Sequence, residues 1–484
     1  MGRESDYEKS VYNQLQDFMA RFDRFEKDTK VEITGLKNTV KTLKAENTTL
    51  KIENQLLKDD NQRLKGILNN DSTNSSLPPS SDQKTKSANK YNGRGKTDKK
   101  PGGQKGHKGK TLTKKDVEEK IISGDYDHQV IHLGHVSNQY KKKYILDLKI
   151  SPVIQEIRIY PNEAGQYEIP ESLKSDVTYG NLVKALSVEL YAEGVVSNER
   201  ISNFINAISN HKLEISSGSI YGFIKRFSEQ CNKSMNQIES ELLNSKTVCT
   251  DATNMTNNGS ACYVRNFSTQ GAVLYHSMDK KSLVSLKDIP FLKVFSGTLI
   301  HDHETALYHF GTAHGECNVH LLRYLKKNTE ETQNNWSSLM MTLLCDANKA
   351  RKQKIESNQL FTESEVEWYV SQYDAILETG IMQNKTCVGK YAKKDEKKLL
   401  NRLQKYKENH LLFIKDFTVP FENNMSERDL RKCKNRQKMS GGFRKSEGHQ
   451  MYCKILSVIE TCKRKNMGVF QNIIKILDGS PAIF

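Results

Sequence analysis

At 484 residues the chain is too long for one ordinary domain, so the sequence predicts three or four units. A formal net charge of +16 favours a polyanionic partner, nucleic acid or an anionic membrane surface, although a merely Lys-rich protein would share this composition. Nine cysteines without paired spacing argue against a disulfide framework. Neither a signal peptide nor an apolar run of roughly 18 residues is present, so we expect a cytoplasmic protein with no membrane partner.

Residues 1–70 contain a seven-residue repeat that predicts a dimerising coiled coil. Leucine occupies one position of the repeat, and the position three residues earlier changes from Ile and Val to Asn. The members are Leu36, Leu43, Leu50, Leu57 and Leu64, preceded by Ile33, Val40, Asn47, Asn54 and Asn61. Leu at d with Asn at a is tolerated best in a parallel dimer, where each Asn meets its twin and fixes the register at a cost in stability. A lone amphipathic helix packed on the rest of the protein is the alternative.

Residues 71–112 change character abruptly, to a polar segment rich in Ser, Gly and Lys. Such a segment cannot bury a core, and it is predicted to be a flexible basic linker. Its charged side chains can contact DNA phosphates without reading the base sequence, although a simple spacer would look the same. The residues predicted to contact DNA here are Arg94, Lys96, Lys105, His107 and Lys108.

Two further units are predicted before the centre of the chain. Residues 113–175 alternate between apolar and polar in the stretches YILDLKI and VIQEIRIY, which indicates a small β-rich unit. Residues 176–240 are predicted to form a helix-turn-helix-like DNA-binding region from NERISNFINAI and ISSGSIYGFIKRF, with Ser216 or Ser217 as the cap of the second helix. Helical hairpins also occur in proteins that bind no DNA, so both interpretations stay open. The outward side chains suited to DNA are Ser219, Tyr221, Lys225 and Arg226.

An α/β core is predicted from residue 241 onward. The predicted strands KTVCT, ACYVRNFST and AVLYHSM are followed by a helix, SLVSLKDI, and a fourth strand, GTLIH. These elements make residues 241–335 the first part of the core. Residues 336–415 are predicted to be helical, and residues 416–484 to complete the core with C-terminal helices.

Acidic side chains follow two of these predicted strands. Asp251 comes directly after KTVCT, and Asp302 directly after TLIH. Paired carboxylates at neighbouring strand ends can hold two Mg²⁺ ions roughly 4 Å apart. Glu427 is the best third acid, because Asn423, Glu427 and Arg431 repeat at helical spacing and would lie on one face. Acids at strand ends are more often solvated or capping, so spacing alone leaves both interpretations open.

Six short motifs occur in order along the chain. They are NSSLPPSSD at 74–82, GGQKGHKG at 102–109, TDATNM around Asp251, LIHDHETALYHF around Asp302, CNVHLLRYL from Cys317 and NNMSER at 423–428. In these motifs and in their order the chain resembles the insertion-sequence-66 family of DDE transposases across nearly its whole length. Several ordered motifs are far more specific than any single one.

The resemblance implies a multidomain transposase with an α/β RNase H-like catalytic core, interrupted by a helical insertion at 336–415. Such an enzyme binds the terminal repeats of its insertion sequence and catalyses metal-dependent strand cleavage and strand transfer. Asp251, Asp302 and Glu427 would be the catalytic residues and the ligands of two Mg²⁺ or Mn²⁺ ions. The basic residues near the third acid that would contact DNA are Arg428 and Arg431. The implied partners are double-stranded DNA, further copies of the chain joined through the coiled coil and, as in relatives, small accessory proteins. When bound to DNA, the protein would be associated with the nucleoid.

The chain departs from the family pattern at three points. Relatives carry Cys-x-x-Cys pairs that bind zinc after the Gly-His motif, and a few histidines are a poor substitute, so the zinc-finger-like unit at 113–175 is expected to be zinc-free. These histidines are His107, His128, His132 and His135. Glu422 stands where relatives have Asp and is a rival third acid, but the Glu-Arg pairing favours Glu427. Cys317 and His320 could bind metal, yet two ligands alone favour a structural pair.

Two functions of different classes fit these motifs. One is an active transposase, and the other is a catalytically inactive descendant that acts as a dimeric DNA-binding protein. All three acidic positions are filled, which favours the active enzyme. A general RNase H-type nuclease is a weaker alternative, because the full-length order of the motifs and the basic N-terminal arm argue against it.

Overall fold

The computed structural model describes residues 2–68, 113–124, 126–132, 138, 141–170, 173–387 and 390–482. The helices before the first strand are α1 (Gly2–Leu68), α2 (Lys114–Ser123), α3 (Asn181–Ala192), α4 (Asn198–Ile208), α5 (Ser217–Gln230) and α6 (Asn232–Leu243). The strands are β1 (Thr247–Asn257), β2 (Ser260–Ser268), β3 (Val273–Met278), β4 (Thr298–His301) and β5 (Ala313–Glu316). The predicted basic linker, with Arg94, Lys96, Lys105, His107 and Lys108, lies outside the described residues.

The remaining helices lie between the strands and after them. They are α7 (Leu283–Lys287), α8 (Pro290–Val294), α9 (Asn318–Thr332), α10 (Trp336–Glu356), α11 (Glu363–Thr386), α12 (Lys390–Lys405), α13 (Lys407–Lys415), α14 (Asn424–Asp429), α15 (Arg431–Ser440), α16 (Ser446–Arg464), α17 (Val469–Leu477) and a short 3₁₀ helix, Thr305–His309. None of the helices in the described ranges has the length and apolar character needed to cross a membrane.

The described residues form two compact units, whereas the chain length predicts three or four. Unit 1 takes its residues from Met1–Ala88, Thr298–Glu304 and Ala313–Asn423. Unit 2 takes its residues from Asn89–Gly297, Thr305–Thr312 and Asn424–Phe484.

Unit 1 is mainly helical, and α10 to α13 confirm the helices predicted at 336–415. Trp336 is fully buried, and its indole Nε1 donates to the buried carboxylate of Glu396 in α12 (2.7 Å). The other donors to this carboxylate are Asn328, Asn334 and Asn384. A buried charge is tolerated only when hydrogen bonds satisfy it. Glu396 therefore fastens α9, α10 and α11 to α12.

The first helix of unit 1, α1, is one continuous helix of 67 residues. Its last turns pack on α9 and α12, where Gln62 Nε2 donates to the carbonyl of Glu330 (2.8 Å). This contact lies on the face opposite the heptad leucines. Leu57 and Leu64 remain 61% and 52% exposed, so the leucine seam is open along the described helix.

The parallel strands β4 and β5 also belong to unit 1. β4 confirms the predicted strand GTLIH, whereas β5 has no counterpart in the sequence-based prediction. Its sequence, AHGE, contains none of the β-branched or large aromatic residues that favour strands. Pairing with β4, which sets Leu299 opposite His314 and Ile300 opposite Gly315, makes this segment a strand.

Unit 2 contains three antiparallel strands in the order β3–β2–β1. β2 and β3 confirm the predicted strands, but β1 continues past KTVCT to Asn257, so Asp251 lies within the strand and does not follow it. The reason is a two-residue hairpin of Asn258 and Gly259, both with positive φ (48° and 79°), which sets Asn257 opposite Ser260. This turn is the type I′ hairpin that Asn-Gly favours, and it extends the pairing of β1 with β2.

The helix pair α4 and α5 in unit 2 matches the two predicted helices. Ser216 is the N-cap of α5, and its hydroxyl accepts the N–H of Ser219 (3.1 Å). The connection at 209–216 is closed by Asn206, whose side chain donates to the Ile215 carbonyl (3.0 Å) and accepts the Ile215 N–H (2.8 Å). The pair is thus a packed helical hairpin, and its role as a DNA-binding helix-turn-helix stays a prediction.

The β-rich unit predicted at 113–175 is wrong for the described residues of that range. They contain the helix α2, which begins with a capping box between Thr113 and Asp116, and no strand. The apolar side chains whose alternation suggested strands lie in water, with Ile145 90% and Ile154 98% exposed. A sheet needs a second apolar layer to bury such a face, and these residues have none.

Candidate active site

One buried side chain in unit 2, that of Asn266, holds both Asp251 and the helix that carries Glu427. Asn266 is fully buried and lies opposite Asp251 in the β1–β2 register. Its Oδ1 accepts the N–H of Asp251 (3.0 Å), and its Nδ2 donates to the carbonyl of Ser426 (3.0 Å), the residue before Glu427. A buried amide that is satisfied at both ends holds its partners in one geometry. Asn266 therefore positions two of the three predicted acids.

The helix α14 carries two acids with different surroundings. Asp429 is buried, accepts the hydroxyl of Ser268 (2.7 Å) and pairs with Arg464, so it fastens α14 to β2 and α16. Glu427 is half-buried, which makes it the acid of this helix that suits a ligand role. Its predicted rival, Glu422, is exposed and belongs to unit 1.

The three residues predicted to share one helical face, Asn423, Glu427 and Arg431, do not share a helix. α14 begins one residue after Asn423, and Arg431 begins α15 after a break at Leu430. The predicted face is therefore wrong. Arg428 and Arg431 are both exposed, so their side chains are accessible to a large partner.

Asp302 directly follows β4 in unit 1, as predicted, and its side chain is half-buried. The ring of His320 lies beside it, with Nδ1 3.1 Å from Asp302 Oδ1 and 3.4 Å from Cys317 Sγ. Arg323 Nη1 lies 3.1 Å from the other ring nitrogen, Nε2. Because a guanidinium can only donate, Nε2 accepts and Nδ1 carries the proton of a neutral ring, an assignment that follows from the hydrogen-bond pattern.

The Nδ1–H of His320 is directed at Cys317 Sγ, so its approach to Asp302 Oδ1 is electrostatic and not a hydrogen bond. Asp302 Oδ1 is buried and accepts no hydrogen bond from the described part of the chain. A buried carboxylate oxygen without a donor costs free energy. A hard divalent cation would supply the missing partner, so Asp302 fits the ligand role predicted for it.

Cys317 and His320 offer ligand atoms that lie, with that of Asp302, within 4.8 Å of one another, so they could hold a metal ion. Their other contacts favour the structural alternative. Cys317 is buried, and its Sγ accepts the N–H of Asn423 (3.2 Å), while both ring nitrogens of His320 are engaged. Mg²⁺ prefers oxygen ligands, and a thiol with an imidazole suits softer metals. These contacts indicate that Cys317 and His320 support Asp302 and the start of the NNMSER motif.

A buried network of charged and polar side chains in unit 1 includes His303, the residue after Asp302, and has no counterpart in the sequence-based prediction. Its centre is Glu316 at the end of β5, which is 1% exposed. Its partners are His303 Nδ1 (2.6 Å), Arg402 Nη2 (2.6 Å) and His410 Nε2 (3.1 Å). Burial alone would raise the pKa of this carboxyl, but the hydrogen bonds from His303 and His410 and the charge of Arg402 outweigh burial and hold the pKa well below its usual range.

His303 connects this network to Asp302. Its backbone adopts a left-handed conformation (φ 49°), which costs free energy for a residue other than Gly. The hydrogen bond to Glu316 and an edge-on contact with the ring of Tyr406, at 4.8 Å between centroids, offset that cost. The turn that follows Asp302 is therefore held from β5 and from the segment between α12 and α13.

Two side chains of α5 predicted to contact DNA, those of Tyr221 and Lys225, already have partners within unit 2. Glu447 at the start of α16 accepts the hydroxyl of Tyr221 (3.2 Å) and pairs with Lys225 Nζ (2.9 Å). The ion pair is solvent-exposed and so stabilises the fold by little; a phosphate could replace Glu447 as the partner of Lys225. Arg226 is exposed on the same helix. Contact of these residues with DNA stays a prediction.

Comparison with known proteins gives two family matches. A family model described as "Transposase IS66 family" matches residues 182–451, more than half of the chain, and this span includes Asp251, Asp302 and Glu427. A model described as "Family of unknown function (DUF6444)" matches residues 23–113. No curated protein matches the chain.

Proposed function

Because this chain belongs to the IS66 family of transposases, we propose that it binds the terminal repeats of its insertion sequence and catalyses DNA strand cleavage and strand transfer. In this proposal Asp251, Asp302 and Glu427 are the catalytic residues and bind two divalent cations, Mg²⁺ or Mn²⁺. The observation that carries the proposal is the Asn266 link, because one side chain of β2 holds both Asp251 in β1 and the helix of Glu427.

The ions, when bound, activate the attacking hydroxyl and stabilise the leaving oxygen of a phosphodiester. The chain's own contribution is to hold the ligand oxygens in place. Asp251 Oδ1 accepts the N–H of Ala252 (2.6 Å), which restricts its carboxylate to one orientation. Asp302 Oδ1 is kept buried without a hydrogen-bond donor among the described residues, ready for a cation. The exposed guanidinium of Arg428 suits a DNA phosphate.

We further propose that the protein acts as a homodimer or higher oligomer through α1, since the leucine seam of that helix is exposed. Because its proposed partner is DNA, we propose that the protein acts in the cytoplasm, on the nucleoid. The second candidate, an inactive descendant that only binds DNA, would keep α1 and the basic residues but would not need three positioned acids.

DNA binding by this basic chain is expected to weaken steeply with salt, because each Lys or Arg that contacts a phosphate releases a counterion. For 6–10 phosphate contacts the affinity should fall about 10³- to 10⁵-fold between roughly 50 and 200 mM salt. Fluorescence anisotropy with a labelled terminal repeat measures this dependence. An affinity that does not change with salt would rule out phosphate contacts as the main source of binding.

The proposed catalysis is tested by cleavage of a labelled duplex that carries the element's own terminal repeat. We expect nicks at the repeat boundary with Mg²⁺ or Mn²⁺, none after chelation, and full recovery when the metal is restored. A duplex with a scrambled repeat is the control and should not be cut at a defined position. The assay is run with and without the accessory proteins of the same element. Binding without cutting in both cases would contradict the catalytic proposal and favour the DNA-binding descendant.

A further inference from the structure

The charges that flank the leucine seam of α1 follow a strict pattern from residue 30 onward. The e positions of the heptad are all lysine: Lys30, Lys37, Lys44, Lys51, Lys58 and Lys65. The g positions are acidic except for a Thr: Glu32, Glu46, Glu53 and Asp60. In a parallel pair each g residue faces the e residue of the next heptad, so acid meets lysine, whereas an antiparallel pair sets lysine against lysine. The charges therefore specify a parallel pair of chains over residues 30–65.

The first part of α1 has a different and wider apolar face. Over residues 11–25 apolar side chains replace the acids at g and also occupy a and d. We call these residues the aromatic band: Val11, Tyr12, Leu15, Phe18, Met19, Phe22 and Phe25. Each of them is between 47% and 67% exposed. Polar residues at the next a and d positions, Glu26 and Thr29, end the band.

The width of the aromatic band exceeds what a two-stranded coil can bury. Such a coil covers two positions in seven, a and d, whereas three in seven is typical of helices that pack in a bundle. In a simple dimer Val11, Phe18 and Phe25 of each chain would line the flanks of the coil in contact with water. Contiguous apolar surface of that kind marks an interaction site.

The aromatic band is also out of reach of the helices that α1 contacts in unit 1. Those contacts lie at the other end of α1, where Arg63 packs over the ring of Tyr391 (4.9 Å to the centroid) and Gln62 binds Glu330. From Phe25 to Gln62 the helix rises by about 55 Å. Neither α9 nor α12 can cover the band, and its side chains are exposed in the described part of the chain.

We propose that the aromatic band joins two parallel dimers of this chain into a tetramer. The occupant is a second dimer because the band keeps the heptad frame of the dimer seam across the polar positions Glu26 and Thr29. The g positions of the band also lack the charges that would limit the assembly to two strands. The proposal rests on the dimerisation proposed above and is independent of catalysis. Residues 30–65 thus set the pairing of chains, and residues 11–25 set the pairing of dimers.

The test is the mass of the full-length protein in solution, measured by sedimentation and light scattering at micromolar concentration. Wild type is expected at the mass of four 55.3 kDa chains. Phe18→Glu with Phe25→Glu should halve the mass, with unchanged helix content by circular dichroism. Val31→Glu is the matched control, because Val31 is an apolar residue of the same helix, 73% exposed on the outer f position, and its replacement should leave the tetramer intact. Leu43→Glu with Leu50→Glu should give monomers.

A wild-type protein no larger than a dimer would overturn the proposal, as would a tetramer that survives Phe18→Glu with Phe25→Glu. Loss of the tetramer in Val31→Glu would also overturn it, because the effect would then come from α1 as a whole and not from the band. A monomeric wild type would remove the proposed dimer as well, while leaving the cleavage assay unaffected. Failure of the assembly proposal is therefore distinguishable from failure of the proposed catalysis.

Discussion

Asp302→Asn is expected to abolish strand cleavage while the protein stays folded and still binds its terminal repeat. The neutral amide cannot hold a divalent cation in place, and loss of several kcal/mol of transition-state stabilisation lowers the cleavage rate by about 10³-fold or more. The same change should not reduce stability. Asp302 Oδ1 is buried without a hydrogen-bond donor among the described residues, so removing its charge relieves a desolvation cost. The melting temperature is expected at or above that of wild type.

Asp251→Asn and Glu427→Gln are expected to abolish cleavage in the same way. The matched control is Glu422→Gln, which changes an exposed acid just before the NNMSER motif and should stay within about twofold of wild type. Single-turnover cleavage of a labelled duplex measures the rate, anisotropy without metal measures DNA binding, and a thermal melt measures folding.

The cleavage rates of these variants test each proposed metal ligand separately. Near-normal cleavage by any one of the three variants would remove that residue from the set. If Glu422→Gln lost cleavage and Glu427→Gln kept it, the third acid would be Glu422. Loss of DNA binding together with cleavage would instead indicate a folding or binding defect and leave the ligand assignment without support.

Much of the fold could be predicted because its signals are local. The heptad leucines predict α1, the periodic segment at 336–415 predicts α10 to α13, and Ser216 predicts the start of α5. The extension of β1 was also accessible, since Asn258 and Gly259 are a strong hairpin signal. By contrast, β5 depends on its pairing with β4, and the alternation at 113–175 indicates strands where no second layer exists to bury them.

The candidate site was predictable to the level of its proposed acids and no further. Asp251, Asp302 and Glu427 stand in recognisable motifs, but the residues that hold them do not. Asn266 is linked to a carbonyl 160 residues away, and two partners of Glu316 lie 86 and 94 residues away. A single sequence has no pattern that reports such distant pairs, because each partner is an ordinary polar residue in its own segment.

Glu316→Gln is expected to destabilise the protein by about 3–5 kcal/mol, the cost of removing one partner from a buried ion pair. The half-buried Arg402, the half-buried ring of His303 and the buried ring of His410 would then surround a neutral amide. The control is Glu408→Gln, since Glu408 pairs with Lys415 on the surface and its removal should change the free energy of unfolding by about 0.5 kcal/mol or less. Denaturant unfolding of the full-length chain measures both.

The pH dependence of this loss follows from the lowered pKa of Glu316. The pKa of an ordinary Glu in the unfolded chain is about 4.3, and the pKa of Glu316 in the folded protein is lower. Its charge therefore stabilises the fold above the unfolded pKa, and this stabilisation is lost as the pH falls through the folded pKa. The difference in unfolding free energy between wild type and Glu316→Gln should be full at pH 7 and shrink below about pH 4.3. A difference that stays constant down to strong acid would contradict an ionised Glu316.

The same variant tests whether the network positions Asp302 or only stabilises unit 1. His303 immediately follows Asp302 in a left-handed turn that Glu316 holds. Loss of such a support beside a metal ligand typically costs about 10- to 100-fold in metal affinity or activity. At a temperature where Glu316→Gln is still folded, we expect the Mg²⁺ concentration for half-maximal cleavage to rise by about 10- to 100-fold, with no change for Glu408→Gln. If the network is purely structural, Glu316→Gln should lower the melting temperature and leave the Mg²⁺ requirement of the folded protein unchanged. The two effects can be separated because Arg402 and His410 connect Glu316 to α12 and α13, whereas His303 connects it to Asp302.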